Sequence, residues 1–219
     1  MSDVVITVRG ESNARARAEE AAVRVTVSTD GPTRGPVVER AQERAASVQD
    51  GLVAHLRSGE VSEWSSARVS VWSDRPWNNE GTQLPLVHHA AVELSATFTD
   101  AGALSWWLGD VAESDDVQVT AVEWRLSPAT RARVEREVAA DAVRVAVERA
   151  TAYADALGLA SVSAVEIADA GLLGAHPEQP APFAARMMAA SGPAGGPSFS
   201  LQPPEIVVTS VVEGRFRAE

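Results

Sequence analysis

Alternation of apolar and polar residues with a period of two is the strongest constraint in this sequence, because it buries one face of a strand but gives a helix no apolar side. Val4, Ile6 and Val8 share one side of the opening segment, and Val23, Val25 and Val27 alternate with Arg24, Thr26 and Ser28. Ala90, Val92, Leu94, Ala96 and Phe98 alternate with Ala91, Glu93, Ser95 and Thr97. Each segment reads as a half-buried strand. Strand character also marks Val61 to Trp72, with Ala67, Val69 and Val71 on one face, Val162 to Ala168, and a closing segment where Ile206, Val208, Val212 and Phe216 align. In Val117, Val119, Ala121, Val122, Trp124 and Leu126 the apolar side shifts by one residue, which predicts a bulge near Ala121.

Helical spacing occupies the intervals. Val37, Ala41, Ala45, Val48, Leu52 and Leu56 step by four or three, with Pro36 suited to the first turn and a stop near Ser58-Gly59. Asp100 is placed to cap a short helix bearing Leu104, Trp107, Leu108 and Val111. Ser127-Pro128 opens the longest helix, which runs to about Leu157-Gly158. Its interior carries Ala139, Ala142, Ala146, Ala150 and Ala154, side chains small enough for close approach to a sheet. Arg131 with Glu135, Arg133 with Glu137 and Arg144 with Glu148 form i, i+4 pairs on its outer side, worth about 0.3 kcal/mol each.

From Val23 to Leu126 the order is therefore strand, helix, strand, strand, helix, strand, the split βαβ arrangement. The fold class expected is α+β: a mixed or antiparallel sheet with a βαββαβ core covered by helices, a long alanine-rich helix and a C-terminal strand. Because that last strand has no core of its own, residues 1–219 are expected to form a single domain. Seven of the twelve prolines and five of the fifteen glycines fall between Gly171 and Pro204. Residues 171–204 read as a Pro/Gly/Ala-rich loop insertion, with a short helix within Phe183 to Ala190.

Composition removes whole classes of chemistry. All 19 basic residues are arginine, so Schiff-base lysines, a phosphate-loop lysine and a Ser-Lys dyad are absent. With no cysteine there is no thiolate catalysis and no thiol redox sensing. A net charge of −11 repels polyphosphate, so nucleic acid is not expected as a partner. No run of 18 apolar residues exists, so no membrane-spanning helix is expected. The opening residues enter an alternating pattern without a charged segment and a long apolar stretch, and a cytoplasmic address is expected.

Residues able to carry chemistry are sparse. His88 and His89 are adjacent in an extended segment and should point to opposite faces; His55 and His176 lack ligand-spaced neighbours, so no metal or cofactor is expected. Asp115-Asp116 and Glu135 with Glu137 do not face each other as an acid/base pair would, and no catalytic residue is assigned. The aromatic residues are more informative. Trp64, Trp72 and Trp77 flank a polar loop, whereas Trp106 and Trp107 are consecutive on a helix, so that one must be exposed or meet another subunit. Trp106, Trp107, Phe183, Met187 and Met188 are the candidate interface residues.

Three segments together carry a family likeness: Ile6-Thr7-Val8-Arg9-Gly10-Glu11, the helix with Ala139-Ala140-Asp141-Ala142 and Arg149 to Gly158, and the terminal strand after Pro203-Pro204-Glu205 with Val211, Val212 and Phe216. In that order and spacing the chain resembles the SIMPL-domain family, YggE-like bacterial proteins of the oxidative-stress-defence or periplasmic-immunogenic type. The resemblance implies an α+β fold and, in some relatives, self-assembly into large rings. It implies no reaction, cofactor or catalytic residue. The expectation is a non-enzymatic homo-oligomer that acts through self-assembly and protein binding, with any stress role indirect. The alternative is a small-molecule or peptide binder with a pocket under the 171–204 loop, and a third reading is a hydrolase whose carboxylates meet across the fold.

Overall fold

The computed structural model describes residues 3–173 and 201–219. Along the chain lie β1 (Val4–Arg17), β2 (Glu20–Gly31), α1 (Arg34–Ser58), β3 (Val61–Asp74), β4 (Val87–Phe98), α2 (Ala101–Ala112), β5 (Val117–Arg125), α3 (Pro128–Ala156), β6 (Val162–Asp169) and β7 (Glu205–Ala218). The strands form two antiparallel sheets, one of order β1-β7-β6 and one of order β3-β4-β2-β5. The fold is α+β. It divides into two units: β1, α3, β6 and β7 make one, and β2, α1, β3, β4, α2 and β5 make the other.

The four-stranded unit has the chain order and the spatial order of the split βαβ arrangement. Both helices pack on one face of the sheet, α1 over β2, β3 and β4, and α2 over β4 and β5. Val23, Val25 and Val27 of β2 and Val92, Leu94, Ala96 and Phe98 of β4 meet Val48, Leu52, Leu104, Trp107 and Leu108 in one core. Local signals hold where the sequence places them. Asp100 accepts a 2.6 Å hydrogen bond from the Ala103 N–H, and α1 stops where Gly59 takes φ 83°, a conformation that costs residues with a Cβ. The bulge falls at Thr120: the β2–β5 register jumps between Arg24 and Val25, and the Thr120 hydroxyl donates to the Arg24 carbonyl at 3.1 Å.

Two expectations fail at the sheet edge and at a helix end. A register shift between Ser66 and Arg68 sets Ala67 apart from Val69 and Val71, which pair with Val92 and Ala90 in unbroken register and share one face; Val71 packs beside Val37, Ala41 and Ala90, whereas Val69 is exposed. Leu56, assigned to the apolar stripe of α1, lies exposed in its last turn.

In the three-stranded unit β1 and β7 pair without a register shift from Val4↔Ala218 to Arg17↔Glu205. At about 1.5 Å per residue α3 is about 43 Å long, close to the roughly 46 Å of a 14-residue strand, so one helix runs the length of the β1–β7 ribbon. Ser127 caps it, its hydroxyl accepting from the Thr130 N–H at 3.3 Å. Every fourth residue from Val134 to Ala154 is buried. Ala142, Ala146, Ala150 and Ala154 meet Ile6, Val8, Val212 and Phe216, and Val134 and Val138 meet Leu126 and Val208. On the outer side Arg131–Glu135 and Arg133–Glu137 form as expected, but Arg144 pairs with Asp141, one turn back, instead of Glu148.

Close approach is most severe at Gly10. A Cβ there would stand 2.0 Å from the Ala142 carbonyl oxygen and 2.7 Å from the Ala146 nitrogen, both backbone atoms of α3. One residue earlier, the Arg9 carbonyl accepts from the Arg149 guanidinium at 2.8 Å, which ties the helix to the same strand. Across the ribbon Arg9 pairs with Glu213 at 3.0 Å. The Glu213 carboxyl is held below its ordinary value of 4.5, first by the Arg9 hydrogen bond and then by the Gly171 N–H, with burial opposing and the Leu173 N–H adding less.

Two outcomes follow for this unit. Gly10→Ala should cost about 3 kcal/mol or more, since a backbone cannot yield as a side chain can, and a urea midpoint shift equivalent to less than about 1 kcal/mol would contradict the packing described. Because the folded-state value of Glu213 lies below its unfolded one, its contribution is complete above about pH 4.5 and is lost as pH falls through the folded value. Glu213→Gln should therefore flatten the acid limb of a plot of Tm against pH; an unchanged limb would refute this.

Candidate interaction surface

The β3–β4 hairpin ends in a loop over residues 75–86, and hydrogen bonds hold that loop in place. Asn78 Oδ1 accepts from the N–H groups of Glu80 at 3.0 Å and Thr82 at 2.8 Å, an Asx turn. The Asn78 N–H donates to the Thr82 carbonyl, the Leu84 N–H donates to the Pro76 carbonyl, and Trp77 bridges to Gln83. On this frame Trp77 stands 66% exposed. At the hairpin's base Trp72, 46% exposed, stacks on the His89 ring with centroids 5.1 Å apart and planes 14° from parallel. His89 Nε2 lies 3.2 Å from Asp74 Oδ1, and His88 Nδ1 lies 2.6 Å from the Ser73 hydroxyl. The adjacent histidines thus serve two separate cross-strand pairs, Trp72↔His89 and Ser73↔His88, whose side chains lie on opposite faces.

Helical spacing separates the consecutive tryptophans of α2. Trp107 is 3% exposed and packs on Phe98 with ring centroids 5.2 Å apart, whereas Trp106 is 62% exposed. Of the candidate interface residues, Trp106 therefore lies on the surface and Trp107 in the core. Phe183, Met187 and Met188 lie outside the described residues, as do His176 and most of the 171–204 segment beneath which a pocket was expected.

The helix-free face of the four-stranded sheet carries a polar constellation that sequence reasoning did not find. Arg125, at the end of β5, donates from Nε to Glu20 Oε2 at 3.0 Å and from Nη2 to Thr97 Oγ1 at 2.9 Å and Glu63 Oε1 at 3.3 Å. The Thr97 hydroxyl donates in turn to Glu63 at 3.2 Å. The four residues come from four different strands, and Glu63, Thr97 and Arg125 border a depression of about 250 Å³ also lined by Ala22, Arg24 and Ser95. Carboxylates do meet across the fold here, but around a shared guanidinium. Both are bound as acceptors to a cation, an arrangement that fixes three strands. No signal in the sequence marks it, because Glu20 and Arg125 are 105 residues apart. Among the described residues no group of three His, Asp or Glu side chains is arranged to hold a metal ion, and no helix is long and apolar enough to cross a membrane.

Glu20 is the sheltered member of the cluster, its side chain only 14% exposed, so it depends on Arg125 for neutralisation. Arg125→Met should cost about 1–3 kcal/mol, and adding Glu20→Gln should recover part of the loss. Strict additivity in a urea double-mutant cycle would show that the pair is not coupled.

Compared with known families, residues 6–216 match the model of SIMPL, described as a protein of unknown function (DUF541). No curated protein matches the chain.

Proposed function

We propose that this chain, which belongs to the SIMPL family, acts by associating with copies of itself and with a protein partner, and that it catalyses no reaction. The observation that carries the reading is the display of three of its six indoles, Trp72, Trp77 and Trp106, on elements whose backbones are pinned. Burying one large aromatic side chain removes roughly 150–250 Å² from water, and a ring already fixed in place loses little conformational entropy on contact. Tryptophan is also the residue type that most often dominates an interface. The two patches differ, one on a hairpin tip and one on α2. Contact between unlike patches is heterologous and repeats from copy to copy, closing into a ring where the rotation permits.

Charge sets the conditions. Copies carrying a net charge of −11 repel one another, and salt shortens the reach of that repulsion to about 8 Å at 0.15 M. Indole-driven association should therefore strengthen with salt, whereas association through matched ion pairs would weaken. Any link to stress defence is indirect, through methionine oxidation or the bound partner, since a chain without cysteine has no thiol to oxidise.

Light scattering on the purified protein should show an oligomer at micromolar concentration, growing as salt is raised from about 0.05 to 0.5 M. Trp77→Ser or Trp106→Ser should shift it toward monomer with circular dichroism and Tm preserved. A strict monomer across that salt range would overturn the proposal.

A further inference from the structure

The helical side of the four-stranded unit holds a feature that self-association does not use: a recess of about 220 Å³ between α1 and α2. Its apolar walls are Val48, Val111 and Val117, and Gly51 and Trp107 also line it. Trp107 is 97% buried, and an indole nitrogen can only donate. Among the described residues that N–H has no hydrogen-bond partner, yet no fully enclosed side-chain nitrogen or oxygen lacks one, so the indole nitrogen is open to the recess.

Gly51 provides the second, independent observation. Glycine in a helix interior is unfavourable relative to alanine, and close packing is the usual reason for one. Here the protein itself does not need it: a Cβ would meet Trp107 Nε1 at 3.6 Å and Cδ1 at 4.0 Å, ordinary van der Waals contacts. The absent methyl leaves a notch directly beside an unused donor. Charged groups at the recess are already engaged or unhelpful to an ion. Arg44 is held by Asp116 at 3.3 Å, His55 by Glu60 at 2.7 Å, and Asp110 places a carboxylate on the rim that repels anions.

We propose that the α1–α2 recess binds a small, uncharged, largely apolar molecule through one acceptor oxygen, a ketone, ester or amide carbonyl, that takes the Trp107 indole N–H beside Gly51. The hydrocarbon part lies against Val48, Val111 and Val117. The recess equals the volume of about seven waters at about 30 Å³ each, which accommodates a single-ring ketone. Binding pairs the indole N–H with an acceptor and covers apolar walls, the combination typical of small-molecule sites.

The test uses full-length protein with ¹⁵N-labelled tryptophan, titrated with acetophenone and, separately, with cumene, which has the same outline without the oxygen. The Trp107 indole resonance is identified by its loss in Trp107→Phe. Acetophenone should move that resonance downfield saturably, and cumene should not. Gly51→Leu fills the notch and should weaken acetophenone binding by about tenfold or more, while the five other indole resonances show that the fold is kept. Benzoate should bind more weakly than acetophenone. The proposal is overturned if acetophenone leaves the Trp107 resonance in place up to its solubility limit, if cumene shifts it equally, if benzoate binds as well, or if Gly51→Leu has no effect.

Discussion

The separation between α3 and strand β1 is set by one hydrogen atom, the missing side chain of Gly10. With the Ala142 and Ala146 backbone seated where a Cβ would be, helix and strand approach to backbone contact. The alanines at every fourth position then become the right size for the remaining interval, and Ile6, Val8, Val212 and Phe216 fill it with no space for larger partners. The Arg149 bond to the Arg9 carbonyl fixes the slide of the helix along the strand. An alanine stripe without that glycine would leave a gap, and the glycine without the stripe would have nothing to receive.

This relation also explains which parts of the fold were legible in the sequence. Elements that bury one face announce themselves by period, so the strands through Val23, Val27 and Ala90 to Phe98, the α1 stripe to Leu52, and the Asp100 and Ser127 caps could be read directly. The change of face around Ala121 foretold the bulge at Thr120 because both sides of that strand segment carry apolar groups. Ala67 leaves the face of Val69 and Val71 because it is the extra residue of an edge-strand bulge, which apolar spacing alone does not mark. Arg144 chose Asp141 over Glu148 because two acceptors lay within reach on one surface, a near-degenerate choice that spacing does not decide. The candidate site was less legible. The split of Trp106 from Trp107 is a matter of helical angle and could be foreseen, but the cluster around Arg125 joins residues from four strands and leaves no local pattern.

An all-arginine complement of cations suits these arrangements. A guanidinium offers several donors in a fixed fork, so Arg125 satisfies two carboxylates and a hydroxyl at once, where an ammonium would present a point charge. The structure uses that capacity to join strands. Its polar constellations are consequently fastenings between elements.

The strand order β1-β7-β6 has a kinetic consequence during synthesis. β7 follows β1, α3 and β6 in the chain, yet it is the middle strand of their sheet. On a translating ribosome the residues from Ala18 to Arg125 emerge as a continuous stretch that already contains all four strands and both helices of one unit. The other unit has to wait: β1 and β6 have no central strand to pair with until β7 has emerged. For that interval an alanine-lined helix and unpaired strand edges stay open to water.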